Sequence, residues 1–388
     1  MEASLYIHVP FCAGACDYCD FYSVPVARGD SRLGCFVNKL LADGDRLFEV
    51  YKPDLIPALY IGGGTPSVLG VAGIRGLLDG LSRLISRYAP PPVEITVEAN
   101  PESADEAFLA AAREGGATRI SLGAQSFHLP SRRAVNRVGA ELSDETLRRR
   151  LAHVREYFPG AFSGDLMSGL PFQNERILLD DIAALLSCEP AHVSLYALTI
   201  DPETPLAASS LLPSPDEADR LWLRGRDVLE KSGYSQYEIS NFCLAGKESR
   251  HNIRYWRMRN WLALGPSASG TIIDDESGTG FRYTVSPDID VWLTEKAPGI
   301  SSEKLDPLTL MKESFLMGFR YIEGPDADLF LQRFRRSIES CIPNTLSAWR
   351  ERDLSRKDKA ALTKDGLVFL DTFLLDAFQE LDASYLPC

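Results

Sequence analysis

Short apolar runs rich in β-branched residues alternate with amphipathic stretches through the first two hundred residues. The runs fall at 5–9, 55–61, 93–98, 119–123, 162–167 and 193–198 and read as strands. Between them, at 34–51, 71–87, 104–114, 144–157 and 175–186, apolar residues recur at helical spacing. Continuous apolar strands followed by amphipathic helices imply parallel βα units joined by right-handed crossovers. Six units are too few to close an eight-fold barrel. The expected class is therefore α/β, an open, partial (β/α)6 barrel.

The pattern changes beyond the sixth unit. Residues 237–242 read as a further strand. Residues 273–301 are rich in Asp, Ser, Gly and Pro and read as a connector with a short hairpin around 281–285. From 302 onward the spacing is helical, at 306–318, 326–334 and 338–351, and the tail gives a turn and then an apolar helix. The expected organisation is a core over 1–272, a connector over 273–301 and a smaller, mainly helical domain over 302–388.

The chain has 388 residues, of which 45% are hydrophobic, enough to bury a full core. The formal net charge of −13 argues against a general nucleic-acid or anionic-membrane binder. Met1-Glu2-Ala3-Ser4 carries no basic residue, and the apolar stretch after it is broken by His8 and Pro10, so no signal peptide is expected. No stretch has the length and apolarity of a membrane span. A cytoplasmic location is the expectation. Eight cysteines are present, and only Cys12, Cys16 and Cys19 are clustered. The others show no disulfide framework.

Those three cysteines, spaced C-x3-C-x2-C directly after the first strand, carry the strongest chemical signal. Three thiolates on one tight loop can hold an iron–sulfur cube by three corners and leave one iron open to a small molecule. Tetrahedral zinc is the competing metal, but it calls for a fourth Cys or His, and only His8 lies nearby. Other polar or glycine-rich groups follow successive strands: Gly62-Gly63-Gly64-Thr65-Pro66, Glu98-Ala99-Asn100-Pro101, Gly123-Ala124-Gln125, Asp165 and its neighbours, and Ala197-Leu198-Thr199. Ligand chemistry in barrels of this kind sits at the C-terminal ends of the strands, where all of these fall.

The cysteine loop and the run Leu5-Tyr6-Ile7-His8-Val9-Pro10-Phe11-Cys12 resemble the radical S-adenosylmethionine (SAM) superfamily. Within it they resemble the oxygen-independent coproporphyrinogen III oxidase group, and most of all its HemW-like haem chaperones. The resemblance implies a partial barrel with a helical, winged-helix-like C-terminal domain. It also implies a [4Fe-4S] cluster on Cys12, Cys16 and Cys19, whose open iron chelates SAM. An electron from the cluster then gives a 5′-deoxyadenosyl radical. By the same resemblance Tyr6, Gly63 and Glu98 contact cluster-bound SAM. Tyr18, Gly64, Thr65, Gln125, Arg137, Asp165 and Ala197 line a second SAM or the substrate side. Two positions depart from the family: Val138-Gly139 follow Arg137 where Arg-x-His is common, and Ser269 stands where a histidine is common.

His251 begins His-Asn-x-x-Tyr-Trp, which resembles the haem-binding stretch of HemW-like proteins. Arg250, Arg254, Arg257 and Arg259 form a basic island there, interleaved with Tyr255, Trp256 and Trp261. Arginine forks suit propionates, and a neutral imidazole suits haem iron, so His251 is the expected iron ligand. A structural histidine beside two aromatics is the plainer alternative. Cys19 is followed by Asp20-Phe21 rather than the oxidases' Cys-x-Cys, and no N-terminal arm precedes Tyr6. Both favour a haem chaperone, with an electron donor and a haem-acceptor protein as partners. A coproporphyrinogen III oxidase acting on a porphyrinogen is the alternative.

Overall fold

The computed structural model describes residues 1–385 except Arg28, Glu203 and Ser210; Cys388 and the end of the expected helical domain lie outside the described residues. Each of the six expected strands is present: β1 (Ser4–Val9), β2 (Ala58–Gly63), β3 (Glu94–Ala99), β4 (Arg119–Gln125), β5 (Phe162–Ser168) and β6 (His192–Ala197). They pair in sequence order, all parallel. The crossovers carry α1 (Ser31–Tyr51), α2 (Gly70–Ile85), α3 (Glu106–Glu114), α4 (Asp144–Tyr157) and α5 (Glu175–Leu186). Side-chain N-caps start four of these helices: Asp30, Asp105, Ser143 and Asn174 accept from backbone N–H groups of the first turn.

After β6 come α6 (Pro215–Lys231), β7 (Ser235–Gln236) and β8 (Asn241–Cys243). The expected strand over 237–242 is thus a tight hairpin. The Tyr237 N–H donates to the Asn241 carbonyl at 3.1 Å, and Gln236 pairs with Phe242. The buried Glu238 sits in its turn, where the Ser240 N–H reaches its carboxylate at 3.3 Å. Next are α7 (Arg250–Trp256) and β9 (Trp261–Leu264), which lies parallel to β1 on its free side. The described parallel array therefore has seven strands where six were expected.

The stretch 273–301, expected as a connector, joins the sheet instead. β10 (Ser269–Asp274), β11 (Thr279–Val285) and β12 (Ile300–Leu305) add antiparallel strands beyond β9. A short helix, Ile289–Thr294, drops Trp292 against Phe36 of α1, ring centroids 5.5 Å apart. Polar composition hid these strands, but the alternating Ile273, Tyr283 and Val285 are buried. Among the described residues the sheet has twelve strands in the order β12-β11-β10-β9-β1-β2-β3-β4-β5-β6-β8-β7, and its two ends do not pair.

One core lies between the sheet and its crossover helices. Its largest fully buried side chains include Phe11, Phe36, Phe48, Phe108, Phe158, Phe162 and Phe242. Each such ring contributes about 2–3 kcal/mol by leaving water. A second core unites α8 (Pro307–Gly318), α9 (Ala327–Phe334), α10 (Pro343–Glu351) and α11 (Leu370–Tyr385) around Phe315, Phe319, Trp349 and Phe373. The single helix expected over 338–351 is two, because Pro343 lacks the N–H that continuity needs. No helix among the described residues is long and apolar enough to cross a membrane.

Candidate functional site

The chain leaves β1 at Val9 and turns into the cysteine loop above the C-terminal ends of the parallel strands. Two backbone bonds fix its start: the Gly64 N–H donates to the Val9 carbonyl at 2.9 Å and the Thr65 N–H to that of Phe11 at 2.7 Å. The segment 135–138, remote in sequence, holds its other side. The Asp17 N–H donates to the Val135 carbonyl at 3.0 Å, and Asn136 Nδ2 donates to the Ala15 carbonyl at 3.2 Å. Cys16 Sγ accepts from the Val138 N–H at 3.3 Å and lies 3.6 Å from Arg137 Nη1. Cys12 Sγ lies 3.2 Å from Thr65 Oγ1, which accepts from Asn100 Nδ2 at 3.1 Å. Donors aimed at sulfur favour thiolate or cluster sulfur.

No three His, Cys, Asp or Glu side chains among the described residues converge closely enough to hold a single metal ion. A zinc site would need four ligands within about 2.3 Å of one centre. His8 is not free to be one of them: its Nε2 lies 2.9 Å from the Tyr22 carbonyl and its Nδ1 3.0 Å from the Tyr6 hydroxyl. Three cysteine sulfurs on one loop are the donor set that three corners of an iron–sulfur cluster call for.

Below the loop lies a cavity of about 320 Å³. Tyr18, Cys19, Gly63, Gly64, Thr65, Glu98, Gln125, Arg137 and Asp165 line it, nine of the residues singled out from the sequence. Tyr6 lies outside the lining: its ring is 6.4 Å from Tyr60 and 6.3 Å from His251, in the barrel interior. Ala197 ends β6 without lining the cavity; its neighbour Tyr196 does. Asn100 was read only as part of its strand-end run, and Ser121 and Tyr196 were missed. Ser121 follows from alternation, since it shares its face of β4 with Gly123 and Gln125.

Glycines make the cradle close-fitting. A Cβ on Gly63 would come within 2.7 Å of His8 Nδ1, and one on Gly64 within 2.5 Å of the Phe11 carbonyl oxygen. Gly63 has φ +110°, a conformation that side chains disfavour. Gln125 adopts φ +64° at a register shift between β4 and β5, and its buried Oε1 has no hydrogen-bond partner. A buried acceptor without a donor, at the edge of a cavity, fits a polar ligand.

The floor is acidic and the rim basic. Glu98 accepts from the Tyr60 hydroxyl at 2.6 Å and from the Gly63 N–H at 3.2 Å. Burial nonetheless raises its pKa from 4.5 to about 7, with Asp165 adding to the shift. Asp165 accepts from Ser121 Oγ at 3.1 Å and is raised by burial to about 6. Arg137 bridges Asn100 Oδ1 and the Gly123 carbonyl, both at 2.7 Å. Burial works to lower its pKa, but Tyr18 and Cys16 outweigh it and push the pKa up. Burial also raises the Cys19 thiol pKa.

Glu98 gives a pH-dependent expectation for the ligand-free protein. Between pH 4.5 and about 7 the folded carboxyl holds its proton and the unfolded one does not. The folded state then binds more protons, so stability falls as pH rises through that window. Glu98→Gln is expected to flatten this part of the profile, leaving the variant's advantage greatest above pH 7. Urea titrations across pH check this.

His251 lies elsewhere. Its N–H and that of Arg250 donate to the Glu94 carboxylate, each at 3.1 Å, and Arg254 Nε donates to Ser4 Oγ at 2.6 Å. Glu94 and Ser4 open β3 and β1, so α7 closes the end of the barrel opposite the cysteine loop. The imidazole is 2% exposed, stacked on Tyr60 at 4.8 Å and met edge-on by Tyr255 at 4.7 Å. Neither ring nitrogen has a hydrogen-bond partner. Burial first, then Arg254 and Arg119, hold its pKa down at about 3. The basic island is partly spent: Arg254 pairs with Glu2, Arg259 with Asp326, and Arg257 lies over Tyr321.

The sequence profile of the Radical SAM superfamily matches residues 6–185. The "Radical S-adenosyl methionine domain-containing protein 1, mitochondrial" of Mus musculus is 35% identical over 303 residues, 76% of this chain and 66% of that protein. The match thus spans just under two thirds of the length of that relative. "Heme chaperone HemW" of Escherichia coli (strain K12) is 33% identical over 270 residues, covering 69% of this chain and 70% of that protein. Its Bacillus subtilis (strain 168) namesake is 29% identical over 369 residues, covering 92% and 94%. Among solved structures, coproporphyrinogen III oxidase (HemN) from Escherichia coli superposes with a TM-score of 0.81 at 20% identity, over 97% of this chain and 90% of that one.

Proposed function

The chain belongs to the radical SAM superfamily, in its group of HemN- and HemW-like proteins, and from that premise we propose that it is a haem carrier holding a [4Fe-4S] cluster and SAM. Cys12, Cys16 and Cys19 would hold the cluster. When bound, the cluster supplies a Lewis-acidic iron for SAM and an electron for its sulfonium. The protein's own part is to orient and enclose. Gly63 and Gly64 let the ligand approach the backbone, Glu98 and Asp165 offer acceptors on the floor, and Gln125 offers its unpartnered Oε1.

The observation that carries the haem reading is the imidazole of His251. It is buried and neutral, it has two free nitrogens, and it is packed among aromatic rings. A neutral ring with an unused lone pair is what iron requires. It is also sealed, so iron reaches it only if α7 swings away from the barrel end. Haem uptake is therefore expected to be slow and to end in a shifted Soret band. His251→Ala should lose that shift and bind haem about tenfold or more weaker. An unchanged band and affinity in the variant would remove His251 from the site.

The fold likeness to the Escherichia coli coproporphyrinogen III oxidase supports a second reading, oxidative decarboxylation of a porphyrinogen. Anaerobic incubation of reconstituted protein with coproporphyrinogen III, SAM and a reductant separates the two. Vinyl product supports the oxidase, and stable haem uptake without product supports the carrier.

A further inference from the structure

A second cleft, of about 260 Å³, opens at the end of the barrel away from the cysteine loop. Arg119, the first residue of β4, lines it together with His192, Lys247, Arg250, Glu94 and Glu248. Arg119 faces inward, in alternation with Ser121, Gly123 and Gln125. It is 8% exposed, yet its guanidinium has no hydrogen bond, ion pair or ring contact among the described residues. The protein's other strongly buried guanidiniums are engaged: Arg132 with three carbonyls, Arg333 with Asp275 and the Met258 carbonyl.

The two acids at the cleft do not neutralise Arg119. The Glu94 carboxylate already accepts the N–H groups of Arg250 and His251, and no carboxylate oxygen of Glu94 or Glu248 lies within ion-pair distance of Arg119, Lys247 or Arg250 among the described residues. His192 is neutral: burial first, and then Arg119, hold its pKa well below 6.5. Its Nδ1 lies 2.8 Å from Ser163 Oγ and its Nε2 2.8 Å from the Tyr237 hydroxyl, so it is occupied too. Three cations thus meet at a polar cleft, and the buried one, Arg119, has no hydrogen-bond or ion-pair partner among the described residues; the carboxyl groups of Glu98 and Asp165, deeper in the barrel, act on it only at longer range. A buried charge without a partner is strongly unfavourable. A guanidinium in that position is a fork for oxygen anions.

We infer that this cleft binds a small oxyanion, a phosphate or a carboxylate, anchored by Arg119 and flanked by Lys247 and Arg250. The oxyanion has two possible sources: a free phosphate-type anion, or the propionate arm of a tetrapyrrole bound beside α7. The cleft is too small for a whole tetrapyrrole. The first source is independent of the haem reading; the second rests on it.

Calorimetry on the reconstituted protein uses inorganic phosphate in one arm. The other arm uses a metal-free dicarboxylic porphyrin against its dimethyl ester, which removes any iron–histidine bond. Saturable phosphate binding that weakens about tenfold or more in Arg119→Gln supports a free anion. Binding of the diacid but not the ester, with the same dependence on Arg119, supports a propionate. Lys247→Ala, an exposed change that leaves the core intact, should weaken whichever ligand binds about threefold. If neither ligand binds, or if both variants bind as the parent does, the inference is wrong. Failure of haem binding in His251→Ala leaves the phosphate arm untouched, so the two proposals fail separately.

Discussion

Cys16→Ala is expected to leave anaerobically reconstituted protein with little iron and no measurable SAM affinity. Of the three sulfurs, Cys16 is the one most tightly set, receiving the Val138 N–H at 3.3 Å and lying 3.6 Å from Arg137 Nη1. Two cysteines cannot retain a cube that already depends on three protein corners. Iron should fall from about four per chain to less than about one. With no open iron, SAM loses its chelating partner. Cys35→Ala is the matched control, since Cys35 is an exposed free cysteine on α1, outside the cavity. Iron and sulfide analysis with charge-transfer absorbance reads both variants. Iron content in Cys16→Ala equal to that of the control would end the cluster assignment.

The second large effect is expected from Gly64→Ala, through backbone rather than chemistry. The added methyl would lie 2.5 Å from the Phe11 carbonyl oxygen and 2.9 Å from its carbon. These are main-chain atoms of the loop's first residues, and they cannot rotate away as a side-chain tip can. The end of β2 must therefore move off the loop, stretching the bonds from Gly64 to Val9 and from Thr65 to Phe11. Overpacking of this kind costs about 3 kcal/mol. Because the same backbone carries Cys12 and shapes the cavity, SAM affinity should fall in parallel. Gly34→Ala offers the contrast: Gly34 lies in α1 with nothing within 4 Å of its would-be Cβ. That change should be neutral or stabilising by about 0.5–1 kcal/mol, since alanine loses less backbone freedom. Urea midpoints of the two variants, measured side by side, check the pair. A Gly64→Ala midpoint matching Gly34→Ala would show that the loop yields where the geometry says it cannot.

Much of the barrel was legible because its signals are local. Six strands and five helices follow from apolar spacing, and α4 and α5 begin and end where the pattern places them. The cysteine loop declares itself by spacing within eight residues. Legibility failed where polar composition masked a strand, as at β11. It failed too where one proline divided a helical pattern, at Pro343, and where a hairpin imitated a strand, over 237–242.

The sequence by itself determined the order of the parallel strands, the three sulfurs, and which residues end each strand at one rim. Period-two alternation and right-handed crossovers leave little freedom there. Tertiary structure alone decided which rim residues meet. Asn100 and Arg137 reach each other across 37 positions, and Val138 reaches Cys16 across 122. It also decided that His251 belongs to the opposite end of the barrel and that Arg119, 8% exposed, lines the cleft there. Such pairings depend on loop closure and on burial, and neither quantity is carried by any short stretch of chain.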